Sequence, residues 1–374
     1  MKEFKTYINI SFADSFADFI ETEKIGEGDF VLTNEFLYDK YIAPLGLPCG
    51  TAFLEKYALG EPSTDMVDAI RKDLPAGIRR MIAIGGGAVM DTAKMLSLTT
   101  SKGTTESLFD LSPDAEKPVR IFDVYAVPTT CGTGSEVTNA CAVELVSLHT
   151  KRGLNNDLLF PKKSFIIPEL LYGLPYKFFA TSSIDALIHA AESYLSPKAT
   201  PVSELFSVQA IRMIMEGYIY IVENGLEKWT DKAGDFMTAA TFAGLAFCSA
   251  GCAAVHALSY PLGGKYHIPH GESNQLVFAA TFRKYKEKQP VGKLNRFEAL
   301  LAEILKVSED EALDKAFELF DKVQPRKPLH EFGIKEDELR EFAQGVIKGQ
   351  QRLLSNSYVQ LSEDEMVEIY KSVF

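Results

Sequence analysis

The stretch RRMIAIGGGAVMDTAK (79–94) decides how the amino-terminal half of the chain is read. An apolar run of strand length meets three glycines, Gly85, Gly86 and Gly87, and passes at once into a segment of helical character. Strand, glycine turn and helix in immediate succession open a β-α unit. Glycines let a backbone approach a phosphate closely, and a helix amino terminus offers unpaired N–H groups and the positive end of its dipole. The stretch is not the G-x-G-x-x-G dinucleotide fingerprint, and three glycines alone also suit a plain tight turn.

Outward from there, the alternation runs from Met1 to about Pro175. FVLT (30–33), TAFLE (51–55), IFDVYAVP (121–128) and KKSFIIP (162–168) read as strands. NEFLYDKYIAPL (34–45) and STDMVDAIRKDL (63–74) read as helices, the second with Met66, Val67 and Ile70 at helical spacing. This pattern predicts a parallel α/β sheet. A second loop, PTTCGTGSEVT (128–138), sets the hydroxyls of Thr129, Thr130, Thr133, Ser135 and Thr138 beside Gly132 and Gly134 at the end of a buried strand. Open α/β sheets bind ligands at such strand ends.

From Phe178 strand signals stop. Helical patterns follow over 181–195, 202–223, 231–247, 272–286, 294–305, 309–322, 336–353 and 363–373. Two of them open on Ser-x-x-Glu capping boxes, Ser308/Glu311 and Ser362/Glu365. The expected organisation is therefore an α/β dinucleotide-binding domain over 1–177 and an all-helical metal-binding and substrate domain over 178–374, with no low-complexity linker between them.

The helical half carries the candidate chemistry. In SSIDALIHAAESY (182–194), Asp185 and His189 stand four residues apart, so a helix presents both on one face. In HALSYPLGGKYHIPHGESN (256–274), His256 and His270 flank a Pro-Gly-punctuated segment. Three imidazoles and a carboxylate make a mixed nitrogen-oxygen set suited to a borderline divalent cation such as Fe²⁺ or Zn²⁺. By spacing alone, the same histidines equally suit satisfied core or surface positions.

Bulk properties narrow the classes. The 374 residues, 46% apolar and 24% charged, are those of an ordinary globular chain large enough for two cores. A net charge of -12 argues against nucleic acid or an anionic membrane as the main partner. Five sparse cysteines fit a reducing cytoplasm. Cys248 and Cys252, four apart, read as helix-packing residues rather than further metal ligands. No signal peptide and no run of ~18 apolar residues is visible.

The segments DALIHAAESYLS (185–196), AVHALSYPLGG (254–264) and IPHGE (268–272), with both loops, resemble the iron-dependent (group III) alcohol dehydrogenase family. The resemblance covers essentially the whole chain. It implies a Rossmann-like amino-terminal domain and an all-α carboxy-terminal domain, the dehydroquinate synthase-like fold. It implies one divalent metal, iron or zinc, on Asp185, His189, His256 and His270. The loops resemble the family's GGGSxxDxAK and PTTxGTGSE signatures, so Gly86, Gly87, Asp91, Thr129, Thr130, Thr133, Thr138 and Lys151 fall at dinucleotide-binding positions. Ala88 stands where the family usually has Ser, and Asn34 where many NAD-using relatives have an Asp that repels the NADP 2′-phosphate. NAD is the expected cofactor.

Many relatives carry a further His where this chain has Tyr260. His267 is therefore expected to relay the proton or bind a substrate carboxylate, with Tyr260 beside it and Lys265 a further donor for that carboxylate. GDFVLTNEFLY (28–38), IIPELLYGLPYKFFATSSIDALIHAAESY (166–194) and GQQRLL (349–354) resemble the branch of the family that interconverts 4-hydroxybutyrate and succinate semialdehyde. The same scaffold serves 1,3-propanediol, propanediol/lactaldehyde or butanol in other branches, and a non-catalytic metal- or nucleotide-binding relative is the remaining alternative. The partner is expected to be a small-molecule hydroxy acid or aldehyde, and the chain a homodimer or higher homo-oligomer.

Overall fold

The strand that opens the glycine turn lies in the middle of a six-stranded, all-parallel sheet. The computed structural model of the chain describes every residue except 58, 59, 61, 111 and 149, and every side chain except those five and residues 148, 150 and 151. The described residues divide into two compact units, Thr6–Leu174 and Pro175–Phe374, the latter joined by Met1–Lys5.

In the first unit the sheet strands are β1 (Asn9–Phe12), β2 (Asp29–Thr33), β3 (Gly50–Phe53), β4 (Arg80–Gly85), β7 (Asp123–Pro128) and β10 (Lys163–Ile166). Two short antiparallel pairs stand apart, β5 (Leu98–Thr99) with β6 (Val119–Arg120) and β8 (Ala140–Leu145) with β9 (Thr150–Asn155). The sheet order is β1-β10-β7-β4-β2-β3. Successive side chains of β4 alternate between two cores: Met81 and Ala83 join one, Ile82 and Ile84 the other. With both faces covered, the strand reads as an unbroken apolar run.

Helices α1 (Phe16–Glu23), α2 (Glu35–Leu37), α3 (Thr64–Asp73) and α4 (Gly87–Leu96) connect these strands. The expected helix over 34–45 is broken. Three α-helical residues pass into a π-turn at Tyr38–Ile42, then a 3-10 turn at Ala43–Leu45 that ends on Gly46. Pro44 has no N–H to continue the ladder. Strand β1, helix α1 and the β8–β9 hairpin escape the sequence reading because each is short and carries mixed polarity.

The second unit is helical: α5 (Tyr176–Leu195), α6 (Pro201–Asn224), α7 (Ala233–Ala250), α8 (Ala254–Tyr266), α9 (His270–Lys288), α10 (Lys293–Leu305), α11 (Glu309–Val323), α12 (Leu339–Gly349), α13 (Gln351–Leu354) and α14 (Glu363–Ser372). The amino-terminal tail packs here, with Phe4 stacked on Phe206 at 5.7 Å and the Lys5 N–H donating to Ser249 Oγ at 3.2 Å. Helix α6 is long and apolar enough to cross a membrane, but Ile211, Ile214, Met215, Tyr218 and Ile221 line a buried face of it, as in a core helix.

Helix α8 is missing from the sequence reading because Pro261 sits inside it. Burial of Val255, Ala257, Leu258 and Leu262 outweighs the lost N–H, and the Tyr370 hydroxyl donates to Leu258 O at 2.6 Å. The expected box at Ser362/Glu365 forms. At Ser308 it does not: the hydroxyl donates to the Glu311 carboxylate and caps no backbone N–H.

Candidate metal centre and cofactor loops

Helix α5 presents Asp185 and His189 on one face, and Glu192 lies three residues further along that face. Helix α8 brings His256, and His270 starts α9. Close approach of α9 to α5 depends on Gly271, where a Cβ would fall 2.2 Å from Thr181 O. Asp185, His189, His256 and His270 each offer one ligand atom, and these atoms lie within 4.8 Å of one another. His256 Nε2 and His270 Nε2 are each 3.7 Å from Asp185 Oδ1, and His189 Nδ1 is 3.9 Å from Oδ2. The first three residues are buried and His270 is half-buried.

Around them a second ring of contacts fixes orientation. The Glu192 carboxylate accepts from the N–H groups of Ala253 (2.8 Å) and Val255 (2.6 Å), and lies 2.6 Å from His256 Nδ1. That contact leaves His256 Nε2 facing the cluster, where among the described residues it makes no hydrogen bond. Asn274, one turn after His270, donates to Asp185 Oδ1 at 2.8 Å and sits 3.3 Å from His270 Nε2. Phe247 stacks on His189 at 4.4 Å.

A buried carboxylate would ordinarily hold its proton. Burial does act that way on Asp185, but His189, His270 and His256 outweigh it and hold the carboxyl well below its usual range. Burial would lower His256, yet Asp185 and Glu192 push it up to about 9. Without a cation the cluster thus holds a proton. A convergent set of three imidazoles and an ionised carboxylate, with one buried ring nitrogen left over, fits a divalent metal.

Cys252 lies beside Glu192 and His256. Burial, then the charges of Glu192 and Asp185, push its thiol up. Tyr260 stays at the edge, its ring centre 6.3 Å from that of His270. His267 does not join: it caps α8 in the left-handed conformation (φ 54) with its side chain exposed, and among the described residues no hydrogen bond or ring contact links it to the four. Lys265 is paired with Glu338 at 2.6 Å on the surface.

In the other unit, β4 ends on Gly85, Gly86 is the N-cap of α4 in extended conformation, and the Thr129 N–H donates to Gly85 O at 3.0 Å, joining the two loops. A Cβ at Gly86 would meet only Thr130, its Cγ2 at 3.4 Å, so its backbone stays open to a ligand. At Gly87 a Cβ would fall 2.7 Å from Thr133 Cγ2, so this glycine serves loop packing. Ala88 packs against the core. Thr129 is buried, and Thr130 and Thr133 are half-buried at the carboxyl end of β7.

Two expected ligand contacts are engaged internally. Lys94, fully buried, donates to Ser135 Oγ (2.7 Å), Thr138 Oγ1 (3.2 Å) and Ala140 O (2.9 Å). Asp91 accepts from Ser135 Oγ and from the Ala142 N–H at 2.8 Å. Asp91 and Thr138 therefore brace α4 against the second loop. Lys151 lies in β9, its side chain outside the described residues. Asn34, at the end of β2, donates to Glu55 Oε1 at 2.8 Å. Sequence reading overlooked Glu192, Asn274, Lys94 and Glu55. The first two were detectable, as they follow His189 by three and His270 by four residues on the same helical faces.

Fold and site define the class: this chain belongs to the iron-containing alcohol dehydrogenase family. The family's main domain matches residues 21–168, and the carboxy-terminal domain of the Fe-containing alcohol dehydrogenase family matches 179–374. More particularly, the chain is 47% identical to the 4-hydroxybutyrate dehydrogenase of Clostridium kluyveri over 375 residues, covering 100% of both. It is 34% identical to long-chain-alcohol dehydrogenase 1 of Geobacillus thermodenitrificans over 79% of this chain and 74% of that one. The fold is shared with the sulfoacetaldehyde reductase of Bifidobacterium kashiwanohense, solved in complex with NAD+ (TM-score 0.85, 22% identity, covering 100% and 98% of the chains).

Proposed function

We propose that this chain is an NAD-dependent 4-hydroxybutyrate dehydrogenase that interconverts 4-hydroxybutyrate and succinate semialdehyde. The observation that carries the substrate is the full-length 47% identity to the enzyme of that name. The chemistry rests on the four-residue cluster around Asp185.

Asp185, His189, His256 and His270 would hold the metal, and Gly86 with the amino terminus of α4 the pyrophosphate of the dinucleotide. When bound, the cation supplies Lewis acidity towards the carbonyl or alkoxide oxygen, and the nicotinamide supplies the hydride. Glu192 keeps His256 turned with Nε2 inward, and Asn274 keeps Asp185 and His270 in register. Lys94 holds the two cofactor loops together. Tyr260, its ring centre 6.3 Å from that of His270, would assist departure of the alcohol proton. The reading extends to a homodimer or higher homo-oligomer in the cytoplasm, whose reducing environment suits five free cysteines. A mass measurement in solution and cell fractionation test that extension.

The test is NADH oxidation by anaerobically purified protein with succinate semialdehyde, butanal, lactaldehyde and 3-hydroxypropanal. Succinate semialdehyde should give the highest kcat/KM by at least about tenfold. A higher value with a neutral aldehyde would move the chain to another branch of the family.

A further inference from the structure

Asn34 sits where a carboxylate would be expected to keep NADP out, yet the carboxylate is not missing from this end of the sheet. It comes from the neighbouring strand. Strands β2 and β3 pair in parallel with Thr33 opposite Phe53, so the residues leaving their carboxyl ends lie side by side. Asn34 follows β2, and Glu55 lies in the 3-10 turn Leu54–Lys56 after β3. Their side chains meet: Asn34 Nδ2 donates to Glu55 Oε1 at 2.8 Å, and the Glu35 N–H reaches Oε2 at 3.4 Å. We infer that Glu55 is the residue that selects NAD over NADP, with Asn34 as its partner.

Two effects combine. An ionised carboxylate only accepts hydrogen bonds, so Glu55 fixes the Asn34 amide with its nitrogen towards Glu55 and leaves the amide oxygen free to accept from a ribose hydroxyl. The Glu55 carboxylate stands 2.8 Å from Asn34 Nδ2, so a 2′-phosphate held beside Asn34 would meet a like charge. This is discrimination by repulsion, without any loss of affinity for the preferred ligand. The pairing also explains why the position after β2 is Asn here. The substitution Asn34→Asp would put two carboxylates within hydrogen-bonding distance of each other, and their like charges would repel. Among the described residues, the charged neighbours of Glu55 in sequence and pairing are Glu35, exposed and of the same sign, and Lys56, whose Nζ lies over the Phe53 ring at 4.6 Å.

This inference rests on the dinucleotide placement proposed above, and the experiment separates the two. Dissociation constants for NADH and NADPH are measured by fluorescence titration of the full chain, without substrate. The variants are Glu55→Gln, which keeps an acceptor for Asn34 and removes only the charge, and Gly86→Val. Wild type should bind NADH more tightly than NADPH by about tenfold or more, and Glu55→Gln should close most of that gap by tightening NADPH, with NADH within about threefold. An unchanged NADPH/NADH ratio in Glu55→Gln would overturn the role of Glu55 while leaving the cofactor site intact. Undiminished NADH binding by Gly86→Val would instead overturn the placement itself. Salt supplies a check that needs no variant. If the wild-type ratio comes from like-charge repulsion, it shrinks as ionic strength rises; a ratio that grows with salt would contradict the inference.

Discussion

The two ligand regions of this chain are built on opposite principles. In the helical unit the site is made of side chains: three imidazoles and a carboxylate converge on a point where their own hydrogen bonds leave ring nitrogen over. In the α/β unit the site is made of backbone, at Gly86 and the first turn of α4, while neighbouring side chains are tied to one another through Lys94. A side-chain site announces itself in sequence by spacing. A backbone site announces only that side chains are absent, and the polar residues around it are as apt to brace the loop as to touch the ligand.

Removing one charge from the helical centre should have the largest effect. Asp185→Ala takes away the only carboxylate among the four ligands, and loss of Lewis acidity worth several kcal/mol should lower kcat about a thousandfold or more, with metal content lost in parallel. Stopped-flow NADH oxidation and elemental analysis check this. Retained metal with retained turnover would place the centre elsewhere.

In the α/β unit the matching deletion should act on stability. Lys94→Met leaves Asp91, Ser135 and Thr138 without their buried cation, which should cost about 3–5 kcal/mol. Urea unfolding followed through a probe in the amino-terminal unit measures it. A loss below about 1 kcal/mol would mean the network is not what joins the loops.

Glu192→Gln probes the ring around the metal ligands. It should weaken metal binding by about 10- to 100-fold without unfolding the protein. The same centre predicts a pH dependence. Folded-state His256 lies at about 9, above its ordinary 6.5. In the metal-free protein the stabilisation from its charged form is complete below 6.5 and disappears as pH rises through about 9. A metal needs the neutral ring, so one proton must leave on binding. Affinity for Zn²⁺ should rise about tenfold per pH unit up to that value and then level off. Calorimetry in buffers of different ionisation enthalpy counts the proton released.

The smallest effect is expected at His267. Because His267 is exposed at the end of α8, its replacement by Ala should change KM for succinate semialdehyde and for butanal by less than about twofold each. A selective rise for the acid substrate would restore it to substrate binding.

These contrasts show what the sequence could tell. Asp185, His189 and Glu192 occupy one helical face, and Asn274 stands one turn from His270, so these neighbours within a helix follow from period; that His256 and His270 join Asp185 and His189 was legible only through the family resemblance. The turn between α8 and α9 obeys no period: His267 lies three residues from His270 in sequence, yet it caps α8 in the left-handed conformation with its side chain exposed, whereas His270 belongs to the cluster. The Asn34–Glu55 contact spans neighbouring strands, so it depends on a register that neither segment encodes locally. Helix α8 was hidden by Pro261, whose local preference is overridden by the burial of its neighbours. Chain-local patterns were readable; contacts made by tertiary pairing were not.

One titration bears on the whole account. Protein purified without oxygen is stripped of metal, and Fe²⁺ or Zn²⁺ is added back stepwise while NADH-linked reduction of succinate semialdehyde is followed. Activity should be absent at the start, rise linearly and stop at one metal per chain, with an Asp185→Ala control that never rises. Full turnover by the stripped chain, or a plateau reached equally by the control, would contradict a catalytic metal on these four residues.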